Sequence, residues 1–218
     1  TTSAAPSGRT TTAGCLSVVV LGCGDTGRVA AERDDGRLMG AAFQTLDNPF
    51  FRELKEGIAE VVQANGDRLI TVGSGWNGTK QRADIRSLLG EGISVLFLNP
   101  VEWQGLEESL KEAKAHNVPC VIVDTQVECD ELVLSQVVSD NVEAGRLAAR
   151  SLAKARPSAR IVVLHIPTNK ACIDRLDGFR RQIAKHPEMN ILTVEDGKGT
   201  GEGARPAMDR LLRQDPNL

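Results

Sequence analysis

LMGAAFQTLDNPFFRELKEGIAEVVQANGDRLITVG, residues 38–73, carries the pattern that decides the fold class. Residues 38–44 are mostly apolar and predict a buried strand, and residues 69–73 predict a second one. Between them Asn48-Pro49 begins a helix, because proline is tolerated in a first turn where its missing N–H is not needed. Asn65-Gly66 ends that helix. The apolar side chains of the helix recur at helical spacing and predict one buried face: Leu54, Ile58, Val61 and Val62.

The same alternation of short apolar runs and helical stretches continues along the rest of the sequence. Repeated strand–helix–strand units predict an α/β fold with a doubly wound parallel sheet. The predicted strands are 38–44, 69–73, 95–99, 120–124, 133–139, 161–166 and 191–194. The predicted helices are 49–65, 79–89, 106–116, 141–154, 171–185 and 203–213.

Composition and charge argue against several classes of protein. Of 218 residues, 41% are hydrophobic and 25% are charged, as in folded globular domains. The net charge of −3 lacks the basic surplus that binding to a nucleic-acid backbone needs. No apolar run approaches the roughly 18 residues of a membrane span. From the charge we expect no nucleic-acid partner. The cysteines and histidines show no metal-ligand spacing, so we expect no metal site and no cofactor. No nucleophile–base pair is evident, so we expect no catalysis.

Polar and aromatic side chains follow the predicted strands at the edge where open parallel sheets bind ligands, beyond the carboxyl ends of the strands. They are Asn48, Phe50 and Phe51 after the first strand, Asn99 and Asp124 at the ends of the third and fourth, and Ser139 after the fifth. Amides and carboxylates hydrogen-bond vicinal hydroxyls, and aromatic rings cover the C–H face of a sugar ring. This set predicts a site for a neutral polyol rather than for a phosphate.

Five motifs follow one another in residues 38–218. They are Asn48-Pro-Phe-Phe51, Leu98-Asn99-Pro100, Pro119-Cys-Val-Ile-Val-Asp124, Ser139-Asp-Asn141 with Gly145 after it, and Asp174-Arg175-Leu-Asp-Gly178-Phe179. In this order the chain resembles the type I periplasmic solute-binding proteins of ABC sugar importers, in particular the ribose-binding branch. Five ordered matches are far more specific than any one of them.

The resemblance implies both a fold and a function. In that family two lobes of similar topology close on a sugar about a hinge, and the closed form is presented to a membrane permease. Residues 38–138 would then form the N-terminal lobe and residues 139–218 part of the C-terminal lobe. The resemblance implies hydrogen bonds to sugar hydroxyls from Asn48, Asn99, Asp124 and Arg175, ring-face contacts from Phe50 and Phe51, and the first crossover between lobes at Ser139.

Four of these residues also have a purely structural interpretation. Asn48 is suited to cap a helix, and Phe50 to pack in a core. Asn99 is suited to brace an Asn-Pro turn. Arg175 has acidic neighbours at 174 and 177 with which it can pair on a solvated helix face.

The sequence departs from the family pattern in three places, one of which is Asp196-Gly-Lys-Gly199, where the family often has an aromatic residue of the second lobe. The ribose-binding branch commonly has an arginine directly after the fourth-strand aspartate, and here Thr125 stands in its place, which argues against ribose itself. The family pattern also continues with further strands beyond the position of Leu218. We therefore expect an incomplete C-terminal lobe with an uncovered sheet edge.

Residues 1–37 support more than one interpretation. Arg9, a short apolar stretch at 16–21 and the sequence Val20-Leu21-Gly22-Cys23 resemble a lipoprotein export signal, with Cys23 as the acylated residue and a lipid as the only membrane anchor. Alternatively, Gly22-Cys-Gly24-Asp-Thr-Gly27 matches a dinucleotide fingerprint and suggests an NAD-dependent oxidoreductase. An ordinary strand or a tail is also open. A LacI-type repressor core shares the predicted fold, but this segment offers no pair of helices for binding DNA.

Overall fold

Strands and helices alternate in the computed structural model, which describes residues 36–216 and residue 218, and a short 3₁₀ helix (Asp130–Leu132) stands in place of an α-helix between the fourth and fifth strands. The strands are β1 (Leu38–Phe43), β2 (Arg68–Gly73), β3 (Leu96–Leu98), β4 (Cys120–Asp124), β5 (Ser135–Val138), β6 (Arg160–His165) and β7 (Asn190–Asp196). The helices are α1 (Pro49–Ala64), α2 (Gly78–Gly90), α3 (Glu107–Ala115), α4 (Asn141–Ala155), α5 (Lys170–Ile183) and α6 (Gly201–Gln214). Each predicted element is present, with its bounds shifted by about two residues at most, as is usual for element ends.

The first five strands form one parallel sheet, here called the N-terminal sheet, in the order β2-β1-β3-β4-β5. The strand order reverses at β1, because β2 lies on one side of it and β3 on the other. The register aligns Ala42 with Leu98, Leu98 with Ile122, and Asp124 with Val138. The carboxyl ends of β1, β3 and β4 therefore lie side by side, at the switch point where such sheets bind ligands.

Helices cover both faces of the N-terminal sheet, and successive strand residues alternate between the two faces. Phe43 packs with Phe51 of α1 on one face. The neighbouring residue Ala42 belongs to the opposite core, which contains Ile85 of α2 and Leu110 of α3. This three-layer arrangement confirms the predicted α/β class and fixes the amino end of α1 beside the carboxyl end of β1.

Strands β6 and β7 form a second parallel pair, here called the C-terminal sheet. Its core contains Ala149 and Ala153 of α4, Ile161 of β6 and Ile183 of α5. Within the described residues, the edge of β6 away from β7 has no strand partner. The two sheets match the predicted fold, in which both sheets are parallel and the second is the smaller. The predicted boundary between the two lobes, between residues 138 and 139, stays a prediction.

Helices α4 and α5 approach each other closely because each contributes a glycine to the contact. A Cβ atom on Gly145 would overlap the carbonyl oxygen of Arg175, and one on Gly178 would overlap the carbonyl oxygen of Val142. Each glycine therefore faces the backbone of the other helix. Neither position admits a larger residue unless the two helices move apart.

We expect Gly178→Ala to destabilise the protein by about 1–3 kcal/mol, because the added methyl group meets a backbone carbonyl that cannot rotate away. Urea unfolding followed by circular dichroism measures the change. Gly57→Ala in α1 is the matched control, since a Cβ there meets nothing within 4 Å. That control should gain about 0.5–1 kcal/mol from the better helix propensity of alanine. Equal effects of the two substitutions would contradict the close contact between α4 and α5.

Candidate functional site

A cavity of about 260 Å³ lies between the carboxyl end of the N-terminal sheet and the first turns of α5. Phe50 and Phe51 of α1, Asp124 of β4 and Arg175 of α5 line it, together with Gly199 beyond β7. Its volume is near the lower end of the roughly 300–1,000 Å³ range of small-molecule sites. The cavity is at the sheet edge that the sequence predicts.

The structure brings five of the seven predicted ligand residues to this cavity. They are Asn48, Phe50, Phe51, Asp124 and Arg175. Asn99 is fully buried and lies beneath the cavity without lining it. Ser139 is exposed after β5, and its carbonyl oxygen accepts a hydrogen bond from Asn141 Nδ2 at 3.1 Å.

Asp124 presents one carboxylate oxygen to the protein and leaves the other without a protein partner. Its Oδ2 accepts hydrogen bonds from Asn99 Nδ2 at 3.1 Å and from Thr125 Oγ1 at 3.0 Å. Its Oδ1 accepts none from any residue that the structure describes. The backbone at Asp124 is left-handed, with φ of 68°, a conformation that aspartate tolerates better than most residues. The anchored carboxylate therefore keeps Oδ1 as an acceptor for another molecule.

Four buried side chains, here called the buried amide network, join the carboxyl end of the N-terminal sheet to the start of α5, and two of them also line the cavity. They are Gln44, Asn99, Thr125 and Asn169, each 5% exposed or less. Asn99 Oδ1 accepts from the backbone N–H of Gln44 at 3.2 Å. Thr125 Oγ1 accepts from Gln44 Nε2 and from Asn169 Nδ2, each at 3.2 Å. Because Asn169 caps α5, the network ties this helix to the ends of β1, β3 and β4.

Asn48 and Arg175 supply hydrogen-bond donors to the cavity. Asn48 does cap α1, since its Oδ1 accepts from the N–H of Phe50 at 3.0 Å, but its Nδ2 has no partner among the described residues. Arg175 donates from Nε to Asn141 Oδ1 at 2.8 Å. Its two terminal nitrogens have no protein partner in the described part of the chain. The acidic neighbours of Arg175 pair with other residues. Asp174 pairs with Lys170, and Asp177 pairs with Arg181.

Three aromatic rings form the apolar wall of the cavity. The Phe50 and Phe51 ring centroids are 5.3 Å apart, and those of Phe51 and Trp76 are 6.0 Å apart, both in edge-to-face geometry. Phe51 is buried and belongs to the core, whereas Phe50 is 52% exposed. The sequence analysis left open that Phe50 packs in the core, but the ring in the core is that of Phe51. The ring of Phe50 is an accessible apolar surface.

The cavity also contains residues that the sequence analysis did not assign. Gln44 follows β1 directly, and Asn169 follows β6 after three residues. The rule that selected Asp124, position beyond the carboxyl end of a strand, applies to both of them. Cys172 in the first turn of α5 also lines the cavity, and burial raises the pKa of its thiol. A backbone hydrogen bond with Ile166 and the charge of Arg175 lower that pKa, and the charge of Asp124 raises it.

A larger hollow of about 460 Å³ lies against β6, α4 and α5. Its lining is mainly aliphatic, as at Ala148, Leu152 and Val163, and it lacks the convergent polar groups of a specific binding site. In residues 36–216 and 218, no group of three or more His, Cys, Asp or Glu side chains is arranged to hold a metal ion. Nor is any helix of this part long and apolar enough to cross a membrane. Cys23 and the glycine-rich stretch 22–27 lie outside the described residues.

Comparisons with known proteins agree with this architecture. The ribose import binding protein RbsB of Escherichia coli (strain K12) is 30% identical over 176 residues. A solved arabinose-transporter binding protein from Shewanella sp. ANA-3, bound to α- and β-L-arabinofuranose, matches with a TM-score of 0.77 and 25% identity over 83% of this chain and 61% of its own. A solute-binding protein from Mycobacterium smegmatis with bound glycerol matches with a TM-score of 0.77 and 29% identity over 84% of this chain and 64% of its own.

The similarity extends over most of this chain but over only part of its relatives. It covers 80% of this chain and 59% of the Escherichia coli protein, so the chain spans about three fifths of that relative's length. A family profile described as periplasmic binding protein domain matches residues 39–218. This match confirms the resemblance that the five ordered motifs indicate, and the chain therefore belongs to the periplasmic binding protein family.

Proposed function

We propose that the protein binds a monosaccharide or a related polyol in the cavity between its two sheets and delivers it to the permease of an ABC importer. One observation carries the proposal. Polar and apolar groups converge on one cavity. They are the acceptor Asp124 Oδ1, the unpaired donors of Asn48 and Arg175, and the exposed ring of Phe50. We propose a binding protein without catalytic activity.

The pattern of donors and acceptors suits a neutral ligand with several hydroxyl groups. A hydroxyl donates one hydrogen bond and accepts others, so a vicinal pair can donate to Asp124 Oδ1 and accept from Arg175. Hydrogen bonds in which one partner is charged are roughly twice as strong as neutral ones. A phosphate would instead place negative charge beside the carboxylate of Asp124. The Phe50 and Phe51 rings suit the C–H face of a sugar ring.

The similar proteins support this ligand class but not one particular ligand. By their names they import ribose, bind arabinofuranose or hold glycerol. All three molecules are neutral and carry vicinal hydroxyls. In this chain Thr125 contributes a hydroxyl whose hydrogen bonds already go to Asp124, Gln44 and Asn169. We therefore propose a small polyol without committing to ribose.

We propose that ligand binding is coupled to closure of two lobes, residues 38–138 and 139–218. The amino end of α5 supports this coupling, because it contacts the N-terminal sheet at two points. Asn169 donates to Thr125, and Lys170 Nζ lies 5.8 Å from the ring centroid of Trp103. A ligand held between Asp124 and Arg175 adds contacts across the same gap, and a hinge of this kind closes by such contacts.

We further propose that the protein acts in the periplasm or at the cell surface, where a lipid on Cys23 tethers it. The membership of the family supports the location. The apolar stretch that ends in Leu21-Gly22-Cys23 supports the lipid anchor.

Titration calorimetry with pentoses, hexoses and acyclic polyols tests the proposal, with NAD as the control ligand. We expect at least one polyol to bind and NAD not to bind. Asp124→Ala should weaken that binding by roughly a hundredfold, because a charged hydrogen bond contributes about 1.5–3 kcal/mol and each 1.4 kcal/mol is tenfold. Asp124→Asn should also weaken it, since its amide nitrogen replaces an acceptor oxygen.

Asp177→Ala is the matched control for Asp124. It removes the same charge from a half-exposed position on α5 where the carboxylate pairs with Arg181. This variant should bind as the unaltered protein does. Unchanged affinity of Asp124→Ala, with an intact circular dichroism spectrum, would refute the role of that carboxylate, and binding of NAD in place of every polyol would refute the proposed function.

A bound polyol should protect Cys172 from alkylation, because this thiol lines the cavity. Cys129 is the internal control, since it lies outside the cavity and burial raises the pKa of its thiol as well. Peptide mass spectrometry after iodoacetamide treatment measures both cysteines in one sample. The rate at Cys172 should fall in proportion to the liganded fraction, while the rate at Cys129 stays constant. Equal rates at Cys172 with and without saturating ligand would place the ligand elsewhere.

Protein purified from native membranes should begin at a Cys23 that carries a diacylglyceryl group. Intact-mass spectrometry identifies the modification, and Cys23→Ser should release the protein from the membrane fraction. A mature chain that retains residues 1–22, or an unmodified Cys23, would contradict the lipid anchor.

A further inference from the structure

Trp103 and Lys170 contact each other across the two proposed lobes, outside the ligand cavity. Trp103 lies in the loop that follows β3, and Lys170 is the first residue of α5. The Nζ atom of Lys170 is 5.8 Å from the centroid of the Trp103 ring, within the range of a cation–π interaction. Neither residue is among those that line the cavity of about 260 Å³. A ligand confined to that cavity therefore does not contact the pair.

Hydrogen bonds hold the loop of Trp103 to its neighbours in residues 38–138. The carbonyl oxygen of Trp103 accepts from the N–H of Glu128 at 3.2 Å, and Gln104 Nε2 donates to Glu128 Oε2 at 3.3 Å. At the start of the loop, the N–H of Val101 donates to Oε1 of the fully buried Gln81 at 2.8 Å. The ring is therefore anchored on the N-terminal side of the contact.

Lys170 occupies a position that electrostatics disfavour for a cation. The amino end of a helix carries the positive end of the helix dipole, so a positive charge in the first turn needs compensating contacts. Asp174, one helical turn further on, forms an ion pair with Lys170. The side chains of Lys170 and Asp174 are only 22% and 20% exposed, and withdrawal from water strengthens a cation–π interaction. Asp174 and the Trp103 ring thus both compensate for the position of this lysine.

The residue before Lys170 makes a second contact between the start of α5 and the N-terminal sheet. Asn169 Nδ2 donates to Thr125 Oγ1 at 3.2 Å, and Asn169 lines the cavity. The two contacts differ in their relation to a ligand, because a ligand in the cavity reaches Asn169 but not Lys170. The contribution of the Trp103–Lys170 contact is therefore the same whichever ligand is bound.

We propose that Trp103 and Lys170, with Asp174 orienting the lysine, form a latch that stabilises the closed form of the two lobes and strengthens the binding of every ligand by one common factor. The inference rests on the proposed function, because it needs a ligand that binds by lobe closure. When the open form predominates without ligand, the apparent dissociation constant is that of the closed form divided by the fraction of closed molecules. The latch changes this fraction and leaves the ligand contacts unchanged. Trp103 and Lys170 are therefore positioning residues, which determine affinity but not selectivity.

Calorimetric titration of latch variants with several polyols tests the proposal. Trp103→Leu removes the ring, and Lys170→Met removes the charge but keeps a long side chain. We expect each substitution to weaken binding by roughly threefold to tenfold, the effect of a partly exposed cation–π interaction. The factor should be the same for every polyol that binds. Lys170→Arg keeps a cation over the ring and should bind as the unaltered protein does.

Two comparisons distinguish a latch from two side chains that act independently. When Trp103→Leu and Lys170→Met are combined, binding should be no weaker than in the weaker-binding single variant, because both side chains act through one contact. Lys111→Met is the matched control, since Lys111 also pairs with an acidic residue one helical turn away, Glu107, but on α3. This control should leave the affinity unchanged.

Fluorescence quenching by acrylamide measures closure at the ring itself. The two tryptophans of the sequence are Trp76 and Trp103, so the emission of the unaltered protein less that of Trp103→Leu is the emission of Trp103. Both proteins are measured with and without saturating polyol. The polyol should make Trp103 less accessible to acrylamide, because closure brings Lys170 over the ring.

Any of four results would overturn the latch. They are unchanged affinity in both single variants, losses that add up when the two substitutions are combined, losses that differ between polyols, and quenching of Trp103 that is the same with and without polyol. Should Trp103→Leu fail to fold, Trp103→Phe replaces it in every comparison. Its loss of affinity should be smaller, because phenylalanine is a weaker cation–π partner than tryptophan.

The experiment separates this inference from the proposed function. If the unaltered protein binds no polyol of the panel, the proposed function fails and the latch fails with it. If the unaltered protein binds a polyol and Asp124→Ala abolishes that binding, while Trp103→Leu and Lys170→Met leave it unchanged, the proposed function stands and only the latch is overturned.

Discussion

Desolvation of polar side chains at the junction of the two sheets constrains everything around the cavity. Gln44, Asn99, Thr125 and Asn169 are withdrawn from water, so the hydrogen bonds that they make are to other protein groups. Removing one partner from such a group costs about 1–3 kcal/mol. The ends of β1, β3 and β4 and the first turn of α5 are therefore held to one another by bonds that cannot be exchanged for water. This arrangement presents Asp124 in a fixed orientation before any ligand arrives.

The same network supports backbone conformations that would otherwise be unfavourable. Asp124 and Trp76 both have left-handed backbones, with φ of 68° and 61°. Such conformations cost of order 1–3 kcal/mol each and persist only where the surroundings enforce them. Hydrogen bonds from Asn99 and Thr125 hold the carboxylate of Asp124, and the N–H of Trp76 donates to the carbonyl oxygen of Gln44. Both strained residues line the cavity, which places the strain where the proposed ligand binds.

The fold could be predicted from the sequence because its determinants are local. The spacing of the apolar residues can be read from the sequence without knowing which residues are near in space. The same holds for Asn48-Pro49 at the start of α1 and Asn65-Gly66 at its end. Part of the site followed from one topological rule, that ligands bind beyond the carboxyl ends of parallel strands, and this rule selected Asp124 and Phe50. Arg175 lies on a helix outside that rule, and only the family resemblance indicated it.

The remaining features of the site depend on contacts between distant residues. Gln44 and Thr125 are 81 positions apart, and Thr125 and Asn169 are 44 apart. No local pattern pairs them. The burial of Asn99 also depends on distant residues. An asparagine at a strand end is exposed or buried according to which residues of the next strand and of the loop above it cover its side chain. The sequence could place Asn99 at the correct edge of the sheet but not beneath the cavity.

The two sides of the cavity are held by different physical means. Buried hydrogen bonds fix the acceptor side at Asp124. On the donor side, Arg175 depends on the close approach of α4 and α5, since Asn141 at the start of α4 holds Arg175 Nε and Gly145 lies against the carbonyl oxygen of Arg175. A side chain at Gly145 would push α5 away from α4, and the guanidinium would lose its position relative to Asn141 while Asp124 kept its own. The distance between Arg175 and Asp124 in the proposed ligand site therefore depends on a glycine contact that lies outside the cavity lining.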